Sequence, residues 1–64
     1  MPKPKPPADL ARPQEKAAYC RNKAVELLNA ASAARDAENK LTLLDLSEQW
    51  MHLALYYENK VRGE

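Results

Sequence analysis

The chain has 64 residues and a formal net charge of +1, which allows one small domain and argues against a strongly basic nucleic-acid binder. One cysteine and one histidine cannot form an intrachain disulfide or supply the four ligands of a Cys/His zinc site. A single glycine excludes a glycine-rich phosphate loop, and the abundance of Ala, Leu, Glu, Lys and Gln points to helix.

Residues 1–12 read as a disordered Pro/Lys-rich tail, and 13–64 as a helical hairpin domain. In MPKPKPP each proline fixes φ near −65° and removes a backbone donor, so the segment should sample polyproline II. Pro4 and Pro7 form one PxxP spacing, a conceivable docking peptide for an aromatic groove. No basic residue stands where such ligands are usually oriented, and a solvated basic arm is the plainer reading. Charge is uneven along the chain: residues 1–12 carry +2, residues 13–35 carry +2 and residues 36–64 carry −3. That division weakly favours packing the halves together.

The first helix should begin at Pro13, because proline suits the first helical position, where its missing N–H has no intrahelical partner. From there Ala17, Cys20, Ala24, Leu27, Ala31 and Ala34 recur at alternating spacings of three and four, a seam of coiled-coil type that Leu28 widens. Its alanines let a neighbouring helix approach closely.

Neither Gly nor Pro occurs between Gln14 and Arg62, so one unbroken helix must be weighed. Phase argues against it. Continued at the same spacing, the first seam would run through Glu38, Leu41, Asp45, Glu48 and His52. The apolar stripe of LTLLDLSEQWMHLALYY instead runs through Leu43, Leu46, Trp50, Leu53 and Tyr57, with Leu44, Ser47, Met51 and Ala54 alongside. The two stripes are offset by about 130° at 100° per residue. A break near Arg35–Asp36 resolves the conflict, with Asp36 as N-cap and Glu38 in the first turn. The expected helices are about 13–34 and 37–62, antiparallel, in an all-α hairpin.

The apolar faces are unequal, spanning about 120° on the first helix and about 200° on the second. One helix cannot cover so broad a face. Pairing of two hairpins into a homodimeric four-helix bundle would cover it. The expected core and interface residues are Leu27, Leu43, Leu46, Trp50, Leu53 and Tyr57, with Trp50 as main anchor.

No catalytic, cofactor-binding or metal-binding residues are assigned. Ser32 and Ser47 lie on helices without a base in phase, and no set of titrating groups converges. Cys20 lies on the first seam, where a buried, inert thiol is expected; cross-linking of two chains would need it near a symmetry axis. Glu48 and His52, one turn apart, read as a solvated ion pair. Tyr19, Tyr56 and Leu41 fall off the stripes. Asp45, Gln49, His52 and Tyr56 share the outer face of the second helix, the candidate surface for another protein.

AAYCRNKAVELL, then Asp-Ala-Glu, then LLDLSEQWMHLA resembles a group of small α-proteobacterial two-helix proteins with an LLxLAxxWxxLA-like second helix. Leu43, Leu44, Leu46, Trp50, Leu53 and Ala54 match; Ser47 stands where Ala is common, and Ala37 where the turn often has Pro. The resemblance covers about residues 15 to 58. It implies the hairpin and brings no activity.

The expected function is therefore a non-catalytic dimeric protein-interaction or adaptor module. The alternative is a nucleic-acid-binding dimer, similar in architecture but not in sequence to the plasmid-encoded RNA-binding hairpin Rop. Lys3, Lys5, Lys16 and Lys23, with Asn22 and Asn29, could then follow phosphates; Glu15 and Glu26 on the same surface weigh against it. A membrane-surface helix conflicts with the acidic residues beside the second stripe. No secretory signal or membrane span is evident, which makes the cytoplasm the default location.

Overall fold

The computed structural model describes residues 5–63; the expectations for residues 1–4, including Pro4 of the PxxP spacing, lie outside them. The described chain is all-helical. α1 spans Pro13–Ala33, α2 spans Ala37–Val61, and the two pack against each other as an antiparallel hairpin. Each helix ends one residue before the expected end. Pro13 opens α1 as its position predicts, and the Lys16 N–H reaches the Arg12 carbonyl at 3.1 Å. Before it, a turn closes with Leu10 N–H donating to Pro7 at 3.2 Å, inside the segment read as tail.

The break falls at Ala34–Asp36. Ala34 is extended, and its N–H still reaches the Ala31 carbonyl at 3.2 Å. Asp36 takes the N-cap position of α2, but its side chain makes no capping hydrogen bond; its carbonyl accepts from Lys40 N–H at 2.9 Å. Beyond α2, Gly63 has φ +87° with open space around it, a conformation that glycine adopts without a Cβ penalty.

The floor of the contact is built from small residues. Ala17, Cys20, Ala24 and Ala31 of α1 are buried, as the first seam predicts. On α2 the buried residues are Ser47 and Ala54. The row Leu43, Leu46, Trp50, Leu53 and Tyr57, read from the sequence as the centre of the stripe, is half-buried beside them. Close approach is the physical reason. Helices that meet through alanine on one side must meet through small residues on the other. The backbones come near enough for the Ser47 hydroxyl to donate to the Ala24 carbonyl across the contact, at 2.9 Å. That bond meets the cost of burying the hydroxyl, about 1–3 kcal/mol if unpaired. It uses a spare lone pair of a carbonyl already placed in the helical ladder.

The large apolar residues therefore flank the floor. At 100° per residue, Trp50, Tyr57, Leu46 and Leu53 turn about 60–120° to one side of Ser47, while Met51, Leu44 and Leu55 turn about 40–80° to the other. On α1, Leu27, Lys16, Lys23 and Tyr19 turn to one side of Ala24, and Leu28, Arg21 and Val25 to the other. In an antiparallel pair, flanks turned in the same sense share one face of the hairpin. Contacts across the helices agree: Tyr19 meets Trp50 on one face, and Arg21 meets Glu58 on the other.

Candidate functional site

The first flank interleaves aromatic rings with lysines. Tyr19 packs edge-on against Trp50, with ring centres 5.7 Å apart and an interplanar angle of 62°. The Lys23 ammonium lies 5.7 Å from the Tyr19 ring centre, and the Lys16 ammonium 5.5 Å from that of Tyr57. Tyr57 meets Tyr56 edge-on at 5.2 Å, and Lys60 sits over Tyr56 at 5.2 Å. Each ammonium lies within the range at which a ring quadrupole attracts a cation. Where α1 begins and α2 ends, Lys16, Lys60, Tyr56 and Tyr57 close with Ala11 and Pro13 around an open hollow of about 360 Å³. Lys23 also pairs with Glu26 at 3.3 Å.

The second flank is aliphatic and open. Val25, Leu28, Leu44 and Leu55 are 47%, 44%, 39% and 51% exposed, Leu41 at its edge is 67% exposed, and Met51 is half-buried. Arg21 and Glu58 bound this flank at the open end with an ion pair between the helices. A second hollow of about 320 Å³ lies there, between Gln14, Ala18 and Arg21 of α1 and Glu58, Val61 and Arg62 of α2.

The outer face of α2 carries the group expected to meet another protein. Asp45, His52 and Tyr56 are exposed and Gln49 is half-buried. Gln49 Nε2 donates to Asp45 Oδ2 one turn away at 2.9 Å. His52 stands 3.9 Å from Glu48, with both side chains open to water. Tyr56 leaves the group and joins the lysine hollow. Of the expected core and interface residues, Leu43, Leu46, Trp50, Leu53, Tyr57 and Leu27 all lie half-buried on the lysine–aromatic side of the floor.

Cys20 is fully buried between the helices, and desolvation raises its thiol pKa. It faces its own hairpin, so bridging two chains would require the helices to part. Among the described residues no three of His, Cys, Asp and Glu come together as metal ligands. No described helix is long and apolar enough to cross a membrane.

Tyr19 was read from the sequence as an exposed residue off the stripe; it is half-buried against Trp50. The meeting of Lys16 with Tyr57 was not foreseen either. Its signal is a repeat of seven in both directions: Lys16 and Lys23 on α1, Tyr57 and Trp50 on α2. Only the antiparallel register turns that repeat into contacts.

No protein-family model, curated protein or solved structure matches the chain. The functional reading therefore rests on the residues themselves.

Proposed function

We propose that this chain is a non-catalytic helical module that works as a homodimer, with the aliphatic flank as its self-interface and the remaining faces free for other partners. One observation carries the reading: the hairpin closes over almost nothing large. The largest fully buried side chain among the described residues is Cys20, and five of the seven exposed large apolar residues, Val25, Leu28, Leu41, Leu44 and Leu55, group on or beside one flank. A core of alanines cannot offset the conformational entropy of some fifty ordered residues, at about 1–2 kcal/mol each for the backbone. A chain of this size normally gains the missing burial from a partner.

A second copy is the occupant that best matches the flank. The patch is aliphatic, and an aliphatic surface is complementary to itself across a two-fold axis. Two hairpins joined through these flanks would form a four-helix bundle with both lysine–aromatic flanks outward.

Sedimentation equilibrium over a hundredfold range around micromolar concentration tests this, with helicity followed in parallel. A dimer is expected, with a melting temperature that rises with protein concentration. Replacing Leu28 and Leu44 by Gln should shift the equilibrium to monomer. A wild-type chain that stays monomeric and folded throughout the range would overturn the reading.

A further inference from the structure

The lysine–aromatic flank is left unused by a dimer built on the opposite flank. Its parts repeat. Lys16 lies over Tyr57, and seven residues along α1 Lys23 lies over Tyr19, which packs on Trp50, seven residues back along α2 from Tyr57. The two units are about 10.5 Å apart at a helical rise of 1.5 Å per residue. Lys60 and Tyr56 extend the first unit, and among the described residues no carboxylate lines the hollow that Lys16 and Lys60 share. Glu26 is held by Lys23 at the edge of the stripe.

Ammonium groups alternating with aromatic rings along one strip are the two components of single-strand recognition. The cations follow the backbone phosphates, and the rings offer flat faces to unpaired bases of any sequence. A purely acidic protein partner would use the lysines and give the rings no part in binding. A duplex hides its bases and would use the lysines alone. We propose that the flank formed by Lys16, Lys23, Lys60, Tyr19, Trp50, Tyr56 and Tyr57 binds single-stranded nucleic acid, with phosphates on the lysines and bases on the tyrosine and tryptophan rings. The sequence alone weighed against such a partner because the net charge is small. The fold supplies what the total conceals, by drawing three lysines to one strip and sending most carboxylates elsewhere. Binding should weaken as salt rises, with a shallow slope because three cations release few counterions.

The test uses the full-length chain and a fluorescein-labelled oligothymidylate of about 15 nucleotides, comparable to a single-strand site. Anisotropy and Trp50 emission are followed from low to physiological salt. The expected result is saturable binding that quenches Trp50, with log K falling against log salt at a slope of about −2 for three lysines. Lys16→Gln and Lys60→Gln should each lower the slope by about 0.7. Tyr57→Leu should weaken binding about fivefold or more and leave the slope unchanged, because it removes a stacking face and no charge. Circular dichroism of each variant checks that the hairpin persists; Lys60 is exposed, so its replacement keeps the test valid if Tyr57→Leu unfolds the chain. Three results would overturn the proposal. The first is no binding at low salt. The second is equal binding of the duplex or of polyglutamate, which would assign the strip to charge alone. The third is binding indifferent to Lys16→Gln and Lys60→Gln combined, which would assign it to the arm.

Discussion

The two flanks of the hairpin arise from the same helices and the same floor, yet one is covered by the chain itself and the other is not. On the first, Tyr19 and Lys16 reach across from α1 to Trp50 and Tyr57, and Leu43, Leu46, Trp50, Leu53 and Tyr57 of α2 are half-buried. On the second, α1 offers Val25 and Leu28, with Arg21 paired to Glu58 at the open end, and Leu44 and Leu55 stay open. Reach decides the outcome. A lysine stem or a tyrosine ring spans the shoulder between two helices, and a valine does not. A two-helix fold cannot seal both of its shoulders with short side chains. It must cover one by its own long side chains and leave the other to something else.

Both flanks depend on the small-residue floor, so the largest effect is expected there. Ala24→Leu would place a branched side chain where the helices touch and would push the Ala24 carbonyl away from Ser47. Overpacking typically costs about 1–3 kcal/mol, and a chain this small has about 3–5 kcal/mol in all. The expected outcome is a melting temperature lowered by about 5–20 °C. Val25→Leu, a larger residue on the shoulder left open in the single chain, should change stability by no more than about 0.5 kcal/mol at protein concentrations too low for a dimer. A hairpin that tolerates both equally would show that the floor is not close-packed.

Next comes a direct contest between the shoulders. Truncating a fully buried Trp costs about 3–5 kcal/mol; Trp50 is half-buried, and about 2 kcal/mol is expected for Trp50→Ala in urea unfolding. Leu55 is 51% exposed in the single chain. Leu55→Ala should cost well under half as much at low protein concentration. A dimer sharpens the comparison: the cost of Leu55→Ala should grow with concentration, and that of Trp50→Ala should not. The same concentration dependence for both would place both shoulders in one interface.

The layout was legible because its causes are local. Pro13 can open a helix but not sit within one. The mismatch of the two apolar phases demands a break at Arg35–Asp36. Gly63 marks an end. The seam of Ala17, Cys20, Ala24 and Ala31 was legible from spacing alone. The second helix was misread at its centre for the same local reason. Hydropathy draws the eye to Trp50 and the leucines, whereas the position facing α1 is decided by size, and Ser47 is neither large nor apolar. Its bond to Ala24 spans 23 residues of sequence, and no window along the chain contains both. The pairing of Lys16 with Tyr57 is hidden for the same reason.

Ser47→Ala tests that bond with a smaller effect. The methyl fits the floor, and the Ala24 carbonyl keeps its place in the helix. The loss should be that of one neutral hydrogen bond, about 1 kcal/mol, read as a lower urea midpoint with an unchanged slope. Ser47→Val leaves the same bond unmade and adds bulk, so it should cost more. Equal costs would mean that the helices stand far enough apart to admit a branched side chain, and the floor would lose its role in setting the shoulders.

The smallest expected effect separates the floor from the shoulders by pH. Burial raises the Cys20 thiol pKa, so the folded chain holds that proton more tightly than the unfolded one. The associated stability is fully present below the unfolded thiol value, about 8.5. It is lost as pH climbs from there through the folded value, because only the unfolded chain then gains by ionising. The wild type alone cannot assign such a decline to one group. Cys20→Ala removes the thiol and keeps a small residue on an alanine seam, leaving every shoulder group in place. The difference in urea midpoint between the two chains should be constant from pH 6 to 8 and should move against the wild type above about pH 8.5. A difference that stays flat to pH 10 would mean that the thiol ionises as readily in the fold as outside it. That would require water at the floor, a condition incompatible with the dry helix contact on which both shoulders are built.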